Sequence, residues 1–204
     1  TLLTDDEQLA RRAHSLIDCG RAKDPAEKEF TFGANYRLGE LHAALLLRAL
    51  ERLPAQQTER AEAGHRFEEL AAGLPWLRLL PPDERITRWS FYRYIVLIEP
   101  EAFAGASNTR VCEALEAEGV GAWEGYQPMS RYDLFQPGLS RLPVAVEHAG
   151  RLDPATMSFP VAEEAGLRRT VYLDENVFRA GRRGIEDAVE ALAKVQRHAD
   201  ELAG

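Results

Sequence analysis

The densest group of residues able to do chemistry is Phe32-Gly33-Ala34-Asn35-Tyr36-Arg37-Leu38-Gly39-Glu40-Leu41, a glycine-bearing stretch that runs into a strongly apolar segment. A loop entering a helix presents unbonded backbone N–H groups at the positive end of the helix dipole, which favours a negative ligand. Asn35 adds a neutral amide and Arg37 a planar charged fork, a pair suited to a phosphate or an oxygen-rich substrate. From spacing alone the plainer reading is preferred: Asn35 caps the helix, and Arg37 pairs with Glu40 one turn on. Other ionisable groups offer less. His14, His42, His65, His148 and His198 share no ligand spacing, so no metal site is expected. Only three lysines, Lys23, Lys28 and Lys194, stand against 22 arginines, and all three read as solvated cations rather than amines activated by burial. Asp5-Asp6 and Glu163-Glu164 sit where helices begin, which the dipole explains, and Trp76, Trp89 and Trp123 read as core or interlobe residues.

The elements that must position these residues follow from periodicity. A strand is expected to end near Leu3, and a helix over 5–19, opened by a capping box of Thr4 and Glu7. Residues 20–34 read as a long polar loop, a length often reserved for function. Over 38–53 apolar residues surround the axis, predicting a helix buried on several sides or lying in a subunit interface. Pro54 is placed to open a second helix at its first position, running to Gly73 and giving a long kinked connector. Beyond it come short strands at 77–80 and 91–98 and a helix capped by Asn108 that ends near Gly119. A strand over 120–126, an irregular excursion over 127–158, a brief helix over 161–167, a strand over 170–173 and a last amphipathic helix around 185–195 complete the chain. The second half is therefore expected to be a small α+β domain with a few antiparallel strands under helices.

Composition excludes several classes. With 45% apolar and 28% charged residues, and no apolar run near the ~20 residues that a membrane span needs, a soluble globular protein is expected. A net charge of −8 argues against a nucleic-acid surface. Cys19 and Cys112 stand far apart and outside any C-x-x-C pattern, so a disulfide framework is not expected and a reducing cytoplasm is the default. Thr1 in place of Met, with neither a basic start nor a long apolar stretch, suggests a chain that begins partway through a larger product.

The stretch Gly33-Ala34-Asn35-Tyr36-Arg37-Leu38-Gly39-Glu40, followed by Ala43-Ala44, resembles the G-x-N-Y-R-L-x-E-x-x-A-A signature of the DegT/DnrJ/EryC1/StrS aminotransferases. Thr4-Asp5-Asp6-Glu7, Tyr126-Gln127-Pro128-Met129 and Phe159-Pro160-Val161-Ala162-Glu163 are similar to further motifs of that family, in the same order. The resemblance implies the C-terminal part of an α/β, fold type I transferase that depends on pyridoxal phosphate. Residues 1–53 would then be the end of the large cofactor domain with a dimer or interlobe helix, and 54–204 a connector helix with a small domain carrying a short antiparallel sheet. It implies a homodimer with shared active sites, in which Asn35 reaches the phosphate of the neighbour's cofactor while Arg37 and Tyr126 face the substrate. The activity implied is amino transfer from glutamine or glutamate to a keto-sugar or keto-cyclitol. Where the family often has a histidine before the tyrosine, this chain has Gly125. That departure, with Trp123-Glu124 and Val171-Tyr172-Leu173, makes it more similar to the cyclitol and aminoshikimate-like branch. The catalytic lysine is expected upstream of Thr1. The alternative is a lysine-less relative acting as a regulatory or interaction module on the same fold.

Overall fold

The computed structural model describes residues 2–22, 24, 31–133, 141–148, 150–151 and 157–202. The chain divides into two units, Thr1–Pro54 and Ala55–Gly204.

In the first unit, helix α1 (Glu7–Ile17) starts two residues later than Thr4 suggested. Its cap is Asp6, whose carboxylate accepts from the N–H groups of Gln8 and Leu9, while Thr4 Oγ1 accepts from Asp6 N at 3.0 Å. The acid wins because it meets two free N–H groups at the positive end of the dipole. No strand forms among residues 2–6.

Helix α2 (Glu40–Ala71) spans the division and stays continuous through Pro54. The new helix start expected at Pro54 is absent: α2 runs through the proline, which lacks the N–H that would donate to the carbonyl of Leu50. Burial on several sides, one of the two expectations for 38–53, is not found among the described residues: Leu38, Leu41, Leu45, Leu46, Leu47 and Leu50 are all exposed. Only the last turns of α2 are buried, at Ala63, Gly64, Phe67 and Ala71.

The second unit is built on a four-stranded antiparallel sheet of order β1-β2-β4-β3, with β1 Leu77–Leu79, β2 Arg93–Ile98, β3 Ala122–Trp123 and β4 Thr170–Asp174. Period-two alternation buries Tyr94, Val96 and Ile98 on β2, and Val171 and Leu173 on β4. They share one core with helices α3 (Asn108–Ala117), α6 (Glu175–Arg179) and α7 (Gly181–Arg197) and with the end of α2. Phe67 lies at its centre, its ring 5.1 Å from Tyr94 and 5.6 Å from Phe178. The Tyr94 hydroxyl donates to Glu68 at 3.2 Å, and burial, then the Glu68 charge, pushes its pKa above the usual phenol range. The excursion over 127–158 contains a short 3-10 turn, Met129–Arg131, and helix α4 (Pro143–Glu147); its remaining parts at 134–140, 149 and 152–156 lie outside the described residues. The helix expected over 161–167 is α5 (Pro160–Glu164), continued by a π turn, Ala165–Arg169, into β4.

Cys112 on α3 is buried and Cys19 is exposed. Burial first, then the charges of Glu124, Glu116 and Glu113, pushes the Cys112 thiol from 9.0 up to about 12. The stabilisation tied to this raised pKa is complete below pH 9 and is lost as pH climbs towards 12. Native protein treated with iodoacetamide at pH 8 is expected to gain one adduct, at Cys19, by intact mass, with the second appearing only after unfolding in urea. Two adducts on native protein would show that Cys112 is accessible.

Candidate active-site residues

Residues 33–37 are laid antiparallel along the end of α1. Cys19 N donates to Ala34 O at 3.1 Å, Ala34 N to Leu16 O at 2.9 Å and Tyr36 N to Ile17 O at 2.9 Å, with Asn35 bridged to Asp18. Ser15 and Thr31 hydroxyls meet at 2.8 Å beneath this turn. The framework holds Asn35 and Arg37 on a fixed backbone, yet neither makes the local bond that spacing favoured. Asn35 does not cap α2; its Oδ1 accepts from Arg37 N at 3.4 Å, a turn closed two residues on. Arg37 forms an ion pair with Asp18 rather than with Glu40. Both differences have one cause. Residues 36–39 are not helical and α2 begins at Glu40, too late for Asn35 to reach its first N–H groups, while the bridge of Asn35 to Asp18 brings Asp18 near the guanidinium. Asp18 lies 19 residues upstream, beyond any local signal.

This donor set fits the phosphate end of a cofactor in one respect. Asn35 is exposed, its oxygen is used, and among the described residues nothing accepts from its amide nitrogen. Lys194 does not offer a free amine, being held by both oxygens of Glu118 at 2.8 and 2.6 Å. Lys23 and Lys28 lie outside the described residues.

Tyr126 belongs to the second unit, just past β3. The strand expected over 120–126 shrinks to two residues because Gly125 turns the chain with φ +83°, where a Cβ would stand 3.0 Å from the Tyr172 ring. Glycine is required there, and the turn sets the Tyr126 ring edge-on to Trp123, 4.9 Å between centroids. Trp123 in turn stands edge-on to Tyr172 at 5.5 Å, and the Arg93 guanidinium lies 5.8 Å from the Trp123 ring and pairs with Asp174. Tyr126 remains 66% exposed, so this aromatic corner is open to solvent.

Asn108 is the residue the sequence misplaced. Ser107 caps α3, accepting from Arg110 N at 3.3 Å, and Asn108 is 1% exposed with its amide turned inward. Either residue type caps a helix, so the adjacent pair hid the buried one.

The fold is shared with solved transferases. It superposes on Helicobacter pylori PseC, an aminotransferase of pseudoaminic acid biosynthesis, with a TM-score of 0.71 at 21% identity, covering 96% of this chain and 48% of that one. For a 3-amino-5-hydroxybenzoic acid synthase the TM-score is 0.70 at 24% identity, covering 95% and 48%. The mixed helices and short antiparallel sheet are thus those of a fold type I aminotransferase. Residues 1–170 match the DegT/DnrJ/EryC1/StrS aminotransferase family, and the chain belongs to it. It is 31% identical over 212 residues to the L-glutamine:2-deoxy-scyllo-inosose aminotransferase of Streptoalloteichus tenebrarius, covering 98% of this chain and 50% of the relative. The chain spans about half the length of the curated relatives it matches. Among the described residues no helix is long and apolar enough to cross a membrane.

Proposed function

We propose that the protein carrying these residues transfers an amino group from glutamine to a keto-cyclitol, as a pyridoxal-phosphate-dependent cytoplasmic homodimer. The observation that carries this reading is the similarity, over 98% of the chain, to an aminotransferase whose name gives L-glutamine and a deoxy-inosose. Glutamate as donor and a keto-sugar as acceptor are the neighbouring choices.

Pyridoxal phosphate, when bound, supplies the electron sink through which an amino group and a carbonyl are exchanged. The Asn35 amide nitrogen, its oxygen being already engaged, would help to hold the phosphate end. Arg37, already oriented by Asp18, directs its remaining N–H groups at substrate oxygens. Tyr126 presents a ring face and a hydroxyl to a polyol, the apolar side of the ring lying against the cyclitol C–H groups and the hydroxyl bonding its oxygens. The lysine that relays protons is assigned to a part of the protein outside these residues. The exposed leucines of α2, among them Leu41, Leu45 and Leu50, are assigned to a second copy of the chain, since each leucine removed from water contributes about 1.5–3 kcal/mol.

Full-length protein supplied with pyridoxal phosphate, L-glutamine and 2-deoxy-scyllo-inosose is expected to yield an aminocyclitol, detected by mass spectrometry and dependent on both substrates. Amination of a nucleotide-linked keto-sugar with no product from any keto-cyclitol would overturn the substrate assignment.

A further inference from the structure

The geometry points to Asn108 as a positioning residue for Tyr126: its buried amide ties down both backbone walls that hold the tyrosine at the substrate side. This rests on the proposed role of Tyr126 in holding the keto substrate. The Asn108 amide nitrogen lies 2.9 Å from Thr170 O, 3.2 Å from Gly166 O and 3.4 Å from Glu124 O. Two N–H bonds are thus shared among three carbonyls, in a place the side chain keeps 99% from solvent.

Each carbonyl belongs to a segment that fixes Tyr126. Glu124 precedes the Gly125 turn, which has no room for a Cβ against the Tyr172 ring. Gly166 faces the other side, where a Cβ would come within 3.0 Å of Tyr126 O. Thr170 ends the π turn that carries Gly166, its hydroxyl donating to Ala165 O at 2.6 Å. The Tyr126 backbone is therefore held between a turn anchored at its N-terminal end by Asn108 and a glycine whose own carbonyl Asn108 also holds. A π turn inside a helix frequently marks a functional place, because its extra residue re-aims the chain that follows. Here the π turn carries Gly166, the residue that lies against the Tyr126 carbonyl. A side chain serving only the core would have no reason to act on the keto substrate separately from the amino donor.

The test uses the full-length holoenzyme and a double-substitution cycle of Asn108→Ala and Tyr126→Ala, with each half-reaction followed separately. Asn108→Ala is expected to lower kcat/KM for the keto substrate roughly ten-fold, mainly through KM, and to leave the glutamine half-reaction within about two-fold. Added to Tyr126→Ala, the Asn108 substitution is expected to have no further effect, since the two act as one unit. Hydrogen exchange is expected to speed up over 124–128 and to stay unchanged over α7. Should Asn108→Ala fail to fold, Asn108→Ser retains one donor and is expected to show the same split with a smaller effect. Additive effects, equal loss in both half-reactions, or exchange rising equally in α7 would overturn the inference. A Tyr126→Ala enzyme with unaltered keto kinetics would instead overturn the reading of Tyr126 on which it rests, and absence of keto-cyclitol turnover in the unsubstituted enzyme would overturn the proposed reaction. In that case exchange confined to 124–128 still supports the clamp, and uniform exchange still overturns it.

Discussion

Asn35→Ala in the full-length protein is expected to weaken pyridoxal-phosphate binding by roughly ten- to a hundred-fold. Asn35 stands on a backbone bridged to Asp18, and its oxygen is already engaged by Arg37 N, so the amide nitrogen is the part free to act. A hydrogen bond to a charged phosphate contributes about 1.5–3 kcal/mol, which sets that range. The side chain is exposed, so its removal opens no cavity, and the melting temperature without cofactor is expected to stay nearly constant. Cofactor titration by equilibrium dialysis measures the effect. Arg37→Ala is the matched control: its fork is tied to Asp18 and assigned to the substrate, so cofactor affinity is expected to remain close to normal while KM for the keto substrate rises. An unchanged cofactor Kd in the Asn35→Ala protein would make Asn35 a turn residue and nothing more.

How much of this was legible in the sequence depends on the distance over which each interaction acts. Strand alternation at 93–98 and 170–174 and the apolar stripe of α7 are written in neighbouring residues, and they were readable as such. The excess of leucine over 38–53 was readable too, but whether it meant burial among these residues or a subunit interface was not, because both write the same apolar pattern; the exposed leucines are at odds with the first. Capping failed at the first helix and at α3 for a different reason. Thr4 and Asp6, or Ser107 and Asn108, are all residue types that cap helices, so the pattern offered two candidates at each start; the charge of Asp6 decides the first, and the burial of Asn108 leaves Ser107 to cap the second. The site residues show the same limit. Asn35, Arg37 and Tyr126 were marked by resemblance, while Asp18 under Arg37 and the Glu124, Gly166 and Thr170 carbonyls around Asn108 come together only through the folded chain. Pro54 was misread because a proline suited to the first position of a helix can also stand inside one at the loss of a backbone bond, and local sequence does not separate the two.

In a homodimer with shared sites Asn35 serves the cofactor of the neighbouring subunit, and this can be made an all-or-none observation. Two inactive full-length proteins are mixed under conditions that exchange subunits, one carrying Asn35→Ala and the other lacking the lysine that binds the cofactor. If the site is shared, a heterodimer assembles one pocket with both defects and one with neither. Amino transfer from glutamine should then return to about a quarter of the unsubstituted rate per subunit, since about half of randomly exchanged dimers are mixed and each carries one intact pocket of two. The Asn35→Ala parent is assayed at a cofactor concentration below its weakened Kd, so that its own pockets stay empty. Mixed dimers demonstrated by native mass spectrometry, with activity restored to that level, are the result expected. Mixed dimers that form and remain inactive would contradict the shared site and the role of Asn35 together.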